Sequence, residues 1–209
     1  YYRISKANIQ RMKTLKQSYN FRSYDALISF LINSVAANDY PVATPELVMK
    51  DTVPIILTGI PGSGKTTFLR ESFIPKLDAQ VSVFVLDVHS EYPSLEQIDL
   101  GKFYSLDFAS ENRKLRFVTS PNPEIAKSEA DAIFRHMIMT QKALSRWVVI
   151  IEEGHRFVRS TALKSLIAES RKHMRKIIVV SHQIEPYKGL GVILRVTTAF
   201  SNSIFTMVR

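Results

Sequence analysis

The tightest constraint on this chain is one octapeptide, Gly59-Ile60-Pro61-Gly62-Ser63-Gly64-Lys65-Thr66, which satisfies the pattern G-x-x-x-x-G-K-[ST]. Its flanks agree with it. Val53-Pro54-Ile55-Ile56-Leu57-Thr58 reads as a short buried strand, and Thr67-Phe68-Leu69-Arg70-Glu71-Ser72-Phe73 as the helix that follows. In a strand–loop–helix setting the glycines let backbone N–H groups turn inward around a polyphosphate, and the helix N-terminus adds a favourable dipole. Lys65 then reaches the β- and γ-phosphates, and the Thr66 hydroxyl supplies a ligand for Mg²⁺. The expectation is a P-loop that holds ATP through Gly59, Pro61, Gly62, Ser63, Gly64, Lys65, Thr66 and Thr67, with Mg²⁺ as the companion ion.

Downstream, apolar runs alternate with helical patterns. Val81-Ser82-Val83-Phe84-Val85-Leu86-Asp87 is an apolar strand ending in a carboxylate, and residues 102–106 and 115–119 are further strand candidates. Pro121 and Pro123 break the last of these. Residues 124–144 then carry Ala126, Ala130, Ile133, Met137 and Leu144 at helical spacing, which predicts a long amphipathic helix with those residues buried. Trp147-Val148-Val149-Ile150-Ile151 is another strand, capped by Glu152-Glu153. Residues 160–172 read as a helix, 176–180 as a strand ending at Ser181-His182-Gln183, and 203–208 as a last strand. The predicted fold class is α/β: a P-loop NTPase core with a mainly parallel twisted sheet covered by helices on both faces.

A chain of 209 residues suits one α/β domain, or one with a small appendage. With 45% hydrophobic residues it buries a real core, so global disorder is excluded. The absence of cysteine excludes disulfides and any zinc or iron–sulfur site built on thiolates. No apolar run approaches a membrane span and the N-terminus lacks a signal-peptide pattern, so a cytoplasmic protein without a membrane partner is expected. The chain does not begin with Met, which leaves both termini open.

A net charge of +9 and a pI near 9.8 point to a polyanionic partner beyond the nucleotide. Residues 1–40 hold Arg3, Lys6, Arg11, Lys13, Lys16 and Arg22 against Asp25 and Asp39. Residues 156–188 hold eight Lys and Arg against Glu169 and Glu185. At the N-terminus, residues 1–6 alternate weakly as a short strand, and residues 7–19 place Ile9, Met12, Leu15 and Tyr19 at helical spacing. Ser23 is a suitable N-cap for a second helix carrying Ala26, Leu27, Phe30, Leu31 and Val35. Residues 36–50, with two prolines and no sustained period, read as a linker. The division expected is a small strand–helix–helix module over 1–36, a linker over 37–50 and the ATPase domain over 51–209.

A strand followed by two short helices, the first basic, resembles the ribbon-helix-helix DNA-binding family over about forty residues. That resemblance implies that Arg3 and Ser5 face DNA, or Tyr2, Ile4 and Lys6 in the opposite register, with Arg3, Ser5 and Lys6 the candidate contacts. The alternative is a helical hairpin that docks onto the ATPase or a neighbouring subunit.

The phosphate loop needs an acidic partner, because Mg²⁺ takes oxygen ligands and an attacking water needs orienting. Glu152-Glu153 at a strand end is the Walker B candidate. Glu152 is assigned to the water shell of Mg²⁺ and Glu153 to the attacking water, with the roles exchangeable. Asp87, at another strand end, either holds metal-bound water or caps its loop. Gln183 is placed to sense the γ-phosphate, with His155 and His182 as neighbouring donors.

Together, Gly59 to Thr66, Asp87-Val88-His89-Ser90-Glu91-Tyr92, Ile151-Glu152-Glu153-Gly154-His155-Arg156-Phe157, Glu169-Ser170-Arg171-Lys172 and Ser181-His182-Gln183 resemble, in order and spacing, the HerA–FtsK superfamily and most closely its HerA-like branch. The resemblance spans roughly residues 50–209. It implies a ring-forming, usually hexameric, ATPase that moves duplex DNA, here a plasmid- or virus-encoded motor for packaging, mobilisation or segregation. The alternative is an ATP-switched DNA-binding partition or regulatory protein without processive movement. By motif, Lys65, Glu152, Glu153 and Gln183 serve hydrolysis, and Arg171 is the candidate arginine finger reaching a neighbour's nucleotide, with Arg175 in reserve. Two departures bear on backbone shape: Ser90 replaces the family's Gly in the Asp-x-x-Gly-Glu-Tyr-like segment, and Gly154 replaces its small Ala after the paired acids.

Overall fold

The computed structural model describes residues 6–18, 22–28, 31, 40–59 and 61–196. Seven strands form one all-parallel sheet: β1 (Ile55–Thr58), β2 (Ser82–Asp87), β3 (Glu96–Gln97), β4 (Lys114–Val118), β5 (Trp147–Ile151), β6 (Lys176–Val180) and β7 (Val192–Arg195). Their spatial order is β3-β4-β2-β5-β6-β1-β7. The expected α/β class with a parallel sheet is therefore borne out.

The continuous apolar runs have a direct cause. Successive side chains of a strand point to opposite faces, and here both faces are covered. Ile56, Phe84, Leu86, Val149, Ile151, Ile177 and Val179 enter one core, while Ile55, Leu57, Val83, Val85, Val148, Ile150, Ile178 and Val180 enter the other. The first core also contains buried residues of the helices Pro123–Met139 and Thr161–His173. The second contains Val48 of the short helix Pro45–Met49, and Leu69, Phe73 and Ile74 from the helical stretch after the phosphate loop.

In chain order the α-helices are α1 (Lys6–Ser18), α2 (Pro45–Met49), α3 (Lys65–Thr67), α4 (Leu100–Tyr104), α5 (Pro123–Met139) and α6 (Thr161–His173), apart from a helical stretch over 24–28. From α3 the chain continues as a π-helical stretch, Phe68–Phe73, and a 3-10 turn, Ile74–Lys76. On α5 all the predicted face residues, Ala126, Ala130, Ile133 and Met137, are buried. Asn122 caps it by accepting from the N–H groups of Glu124 and Ile125 at 3.0 and 3.4 Å, with Pro123 at the first helical position.

Three expectations need correction. The helix predicted to reach residue 144 ends at Met139, and Leu144 is buried beyond a 3-10 turn at Gln141–Ala143. The strand expected over 102–106 is instead helix α4. Asp99 caps it, accepting from Lys102 N–H at 2.8 Å, and Phe103 packs on Phe84 and Phe108 with ring centroids 5.1 and 5.6 Å apart. So short a run does not distinguish helix from strand by period, and the cap decides. The stretch read as a linker contains α2, whose Val48 is fully buried. Thr44 accepts from Leu47 N–H at 3.2 Å to start that helix.

Near its N-terminal edge the sheet is tied to this segment by Lys176, whose fully buried ammonium donates to the carbonyls of Asp51 and, at 3.0 Å, Val53. In the N-terminal module Ser23 caps the stretch 24–28 as expected, accepting from Ala26 N–H at 3.1 Å. Lys16 lies over the Tyr24 ring, 5.2 Å from its centroid. Lys6 begins α1 and does not extend a strand. Arg3 and Ser5, and the strand expected over 203–208, lie outside the described residues. Among the described residues no helix is long and apolar enough to cross a membrane.

Candidate nucleotide site

Parallel strands deliver their C-terminal ends to one edge, so the phosphate loop after β1, Asp87 of β2, Glu152-Glu153 after β5 and Ser181-His182-Gln183 after β6 all gather there. Strand β6 lies between β1 and β5, with Ile56 opposite Val179 and Val179 opposite Ile151. The residues after β6 are thereby set between the loop and the paired acids.

Within the loop, Gly62 and Gly64 take φ of 75° and 83°, a region open to glycine at little steric cost. The Lys65 ammonium is buried, donating to the Gly59 carbonyl at 3.0 Å and lying 3.2 Å from Nδ1 of His182. Burial lowers its pKa to about 8, against the opposing pull of Glu153, Glu152 and Glu91. Two buried hydroxyls at the loop, Thr58 Oγ1 and Ser63 Oγ, have no protein partner. Buried polar atoms carry a desolvation cost unless paired, so these donors fit a polar ligand such as a phosphate chain.

The adjacent carboxylates differ sharply. Glu152 is only 2% exposed and accepts from the Tyr92 hydroxyl and the Thr66 hydroxyl. Burial raises its pKa to about 7, aided by Glu91 and Glu153 and opposed by those hydroxyls. Glu153 sits in the left-handed region, φ 51°, with Oε2 3.3 Å from His155 Nε2 and Oε1 3.7 Å from His182 Nε2. Burial pushes its carboxyl up, but the His182 contact and the nearby His155 and His89 outweigh this and hold it at about 2. Glu153 therefore remains an ionised acceptor, while Glu152 is poised near neutrality beside Thr66.

These positions fit Mg²⁺ at Thr66 and Glu152. Magnesium is commonly held by one or two protein oxygens plus phosphates and waters, and no group of three His, Cys, Asp or Glu able to hold a metal exists among the described residues.

Asp87 is placed differently from a metal-facing group. It is fully buried, accepts from the N–H groups of Glu91 and Tyr92 at 2.9 and 3.1 Å, and pairs with Arg116 at 3.2 Å. Its geometry favours the loop-capping alternative. It also orders the site, because the loop it holds carries Tyr92 to Glu152. Tyr92 and Arg116 had no role assigned from the sequence, although an arginine inside the apolar strand Lys114–Val118 was a visible signal.

Ser90 and Gly154, the two departures read from the sequence, both have local explanations. Ser90 takes φ 57°, where glycine would be ordinary, and its Oγ accepts from Arg116 at 3.0 Å. At Gly154 a Cβ would lie 2.3 Å from Val179 Cγ1 and 3.1 Å from the Tyr187 hydroxyl, which donates to the Gly154 carbonyl at 2.6 Å. Gly154→Ala is expected to destabilise the protein by about 1–3 kcal/mol, as overpacking does. A chemical-denaturation midpoint equal to that of the unchanged protein would refute this close packing.

Gln183 is exposed at the end of β6 beside this cluster. Arg171 and Arg175 are not brought to it. Arg171 lies in the last turn of α6, and Arg175 N–H donates to the carbonyl of Trp147, the first residue of β5, on the far edge of the sheet. Nearer the site, His155, Arg156, Arg159 and Lys127 line a cleft of about 490 Å³.

Fold and loop together define a P-loop-like α/β core. Compared with known proteins, the chain matches no family model, and no curated protein is significantly similar to it.

Proposed function

We propose that this chain hydrolyses ATP and couples hydrolysis to movement on duplex DNA, acting as a homo-oligomeric, hexameric ring in the cytoplasm, or in the host cytoplasm for a plasmid- or virus-encoded protein. The observation that supports this best is the meeting of Lys65, Thr66, Glu152, Glu153 and the residues after β6 at one strand edge. Thr66 and Glu152 would hold Mg²⁺, Thr66 through its hydroxyl and Glu152 through the metal's water shell. Bound Mg²⁺ supplies charge neutralisation on the phosphate oxygens. Lys65 binds phosphate, Glu153 orients the attacking water, and Gln183 contacts the γ-phosphate. A carboxylate held at about 2 is a weak base but a good acceptor, which suits orienting water.

The DNA partner is supported by the +9 charge and by Arg156 and Arg159 along the cleft beside the site, whose lining also holds Asp131 and the Lys127–Glu124 pair. Arg171, remote from its own loop, serves a neighbour's nucleotide, a contribution of about 10³–10⁵ in rate when an arginine is supplied in trans. The test combines light-scattering mass with ATPase rates with and without duplex DNA. A ring accelerated by DNA is expected, and Arg171→Ala subunits mixed with Lys65→Ala subunits should recover part of the lost turnover. ATP-dependent DNA binding without movement would favour the regulatory alternative. A lone subunit, fully active and indifferent to DNA, would overturn the motor.

A further inference from the structure

Between the phosphate-loop lysine and the paired acids stands one imidazole that the roles above leave without work. His182 follows β6, is partly buried, and has both ring nitrogens engaged. Its Nδ1 lies 3.2 Å from the Lys65 ammonium and 3.0 Å from the Gly59 carbonyl, and its Nε2 lies 3.7 Å from Glu153 Oε1. The other Glu153 oxygen faces His155 at 3.3 Å, and the two imidazole rings are 5.4 Å apart.

Nδ1 thus faces a donor, the Lys65 ammonium, and an acceptor, the Gly59 carbonyl, while Nε2 faces the Glu153 carboxylate. In the tautomer that carries its proton on Nε2, Lys65 donates to Nδ1 and Nε2–H points at Glu153, which makes a directed chain. At 3.7 Å the second contact is longer than a closed hydrogen bond. It is the adjustable joint of the chain.

We propose that His182 is a positioning residue that couples the phosphate-loop lysine to Glu153, so that the orientation of the water-holding carboxylate follows the placement of Lys65 on phosphate. This rests on the ATPase reading above and adds to it a named coupling element. His155 braces the opposite oxygen, which leaves Glu153 one direction in which to adjust, toward His182. In this arrangement Glu153 is aligned when Lys65 and His182 are jointly in place.

The experiment uses the full chain with three substitutions, His182→Ala, His182→Gln and His182→Asn, assayed for steady-state ATP turnover, fluorescent-ATP affinity and unfolding midpoint. His182→Ala is expected to lower kcat by about 10²-fold, the order that a misplacement of ~1 Å costs, while nucleotide affinity changes little. His182→Gln, with a donor near the place of Nε2 but without the contact to Lys65, is expected to recover part of kcat. His182→Asn, with its amide near the place of Nδ1 only, is expected to recover little. A merely structural histidine would not separate Gln from Asn, nor kcat from affinity, in variants with equal unfolding midpoints. Turnover by the unchanged protein matched by His182→Ala, or rescue by Asn equal to rescue by Gln, overturns the coupling alone. No turnover by the unchanged protein overturns the ATPase reading and the coupling with it.

Discussion

Lys65→Ala is expected to lower ATP turnover by about 10²–10³-fold, the loss typical when one preorganised electrostatic contact to a reacting group is removed. The side chain is 6% exposed and its ammonium lies among the Gly59 carbonyl, His182 and the glutamates. Alanine removes both the charge and the donor that the site is arranged around. Lys65→Arg should not rescue, because a planar guanidinium cannot occupy the compact place of an ammonium. Phosphate release at saturating Mg·ATP measures the effect. Normal rates in the alanine variant would end the assignment of this loop to catalysis.

Glu152→Gln is expected to do two opposite things: abolish turnover and stabilise the metal-free protein. Burial raises the folded-state pKa of Glu152 from 4.5 to about 7. A carboxyl with a raised folded pKa binds its proton more tightly when folded, so stability falls as pH rises from the unfolded value through the folded one. At about 1.36 kcal/mol per unit, the cost is about 1 kcal/mol at pH 5 and about 3 kcal/mol at pH 8. Glutamine keeps the acceptor for the Tyr92 hydroxyl and carries no charge, so it removes that cost. For a chain of this size the gain at pH 8 is a rise in Tm of roughly 6–10 °C, and only a small part of it should appear at pH 5. Melting curves in chelator at the two pH values decide it, and a pH-independent difference would refute the buried, proton-linked carboxylate. Loss of activity with gain of stability is the expected signature of a group retained for function.

Much of this was legible in the chain because the central strands are buried on both faces, which makes them unbroken apolar runs that end in polar residues. β1, β2, β5 and β6 announce themselves this way, and with them the loop and Glu152-Glu153. The edges were harder. β3 is the exposed pair Glu96–Gln97, and β7 is half exposed, so neither carries a strong pattern. The second tier of the site was hidden for another reason. Tyr92 meets Glu152 across sixty residues, and Arg116 meets Asp87 across twenty-nine, through the adjacency of β4, β2 and β5. No local period encodes such pairings. The same applies to His182, whose partners are 117 residues away at Lys65 and on a different strand end at Glu153.

The way the chain enters the sheet pairs residues 41–43 with its outer strand, close to the glycine-rich loop. Residues 41–43 run alongside β7, where Arg195 N–H donates to the Pro41 carbonyl and Ala43 N–H to the Arg195 carbonyl, each at 2.7 Å. The residue just after that strand, Val196, donates to the Thr58 carbonyl at 2.8 Å, at the very end of β1. Residues 41–43 therefore lie one strand from the bend that leads into the glycine-rich loop. Any shift in how they pair with β7 would be felt at that bend after only a few peptide units.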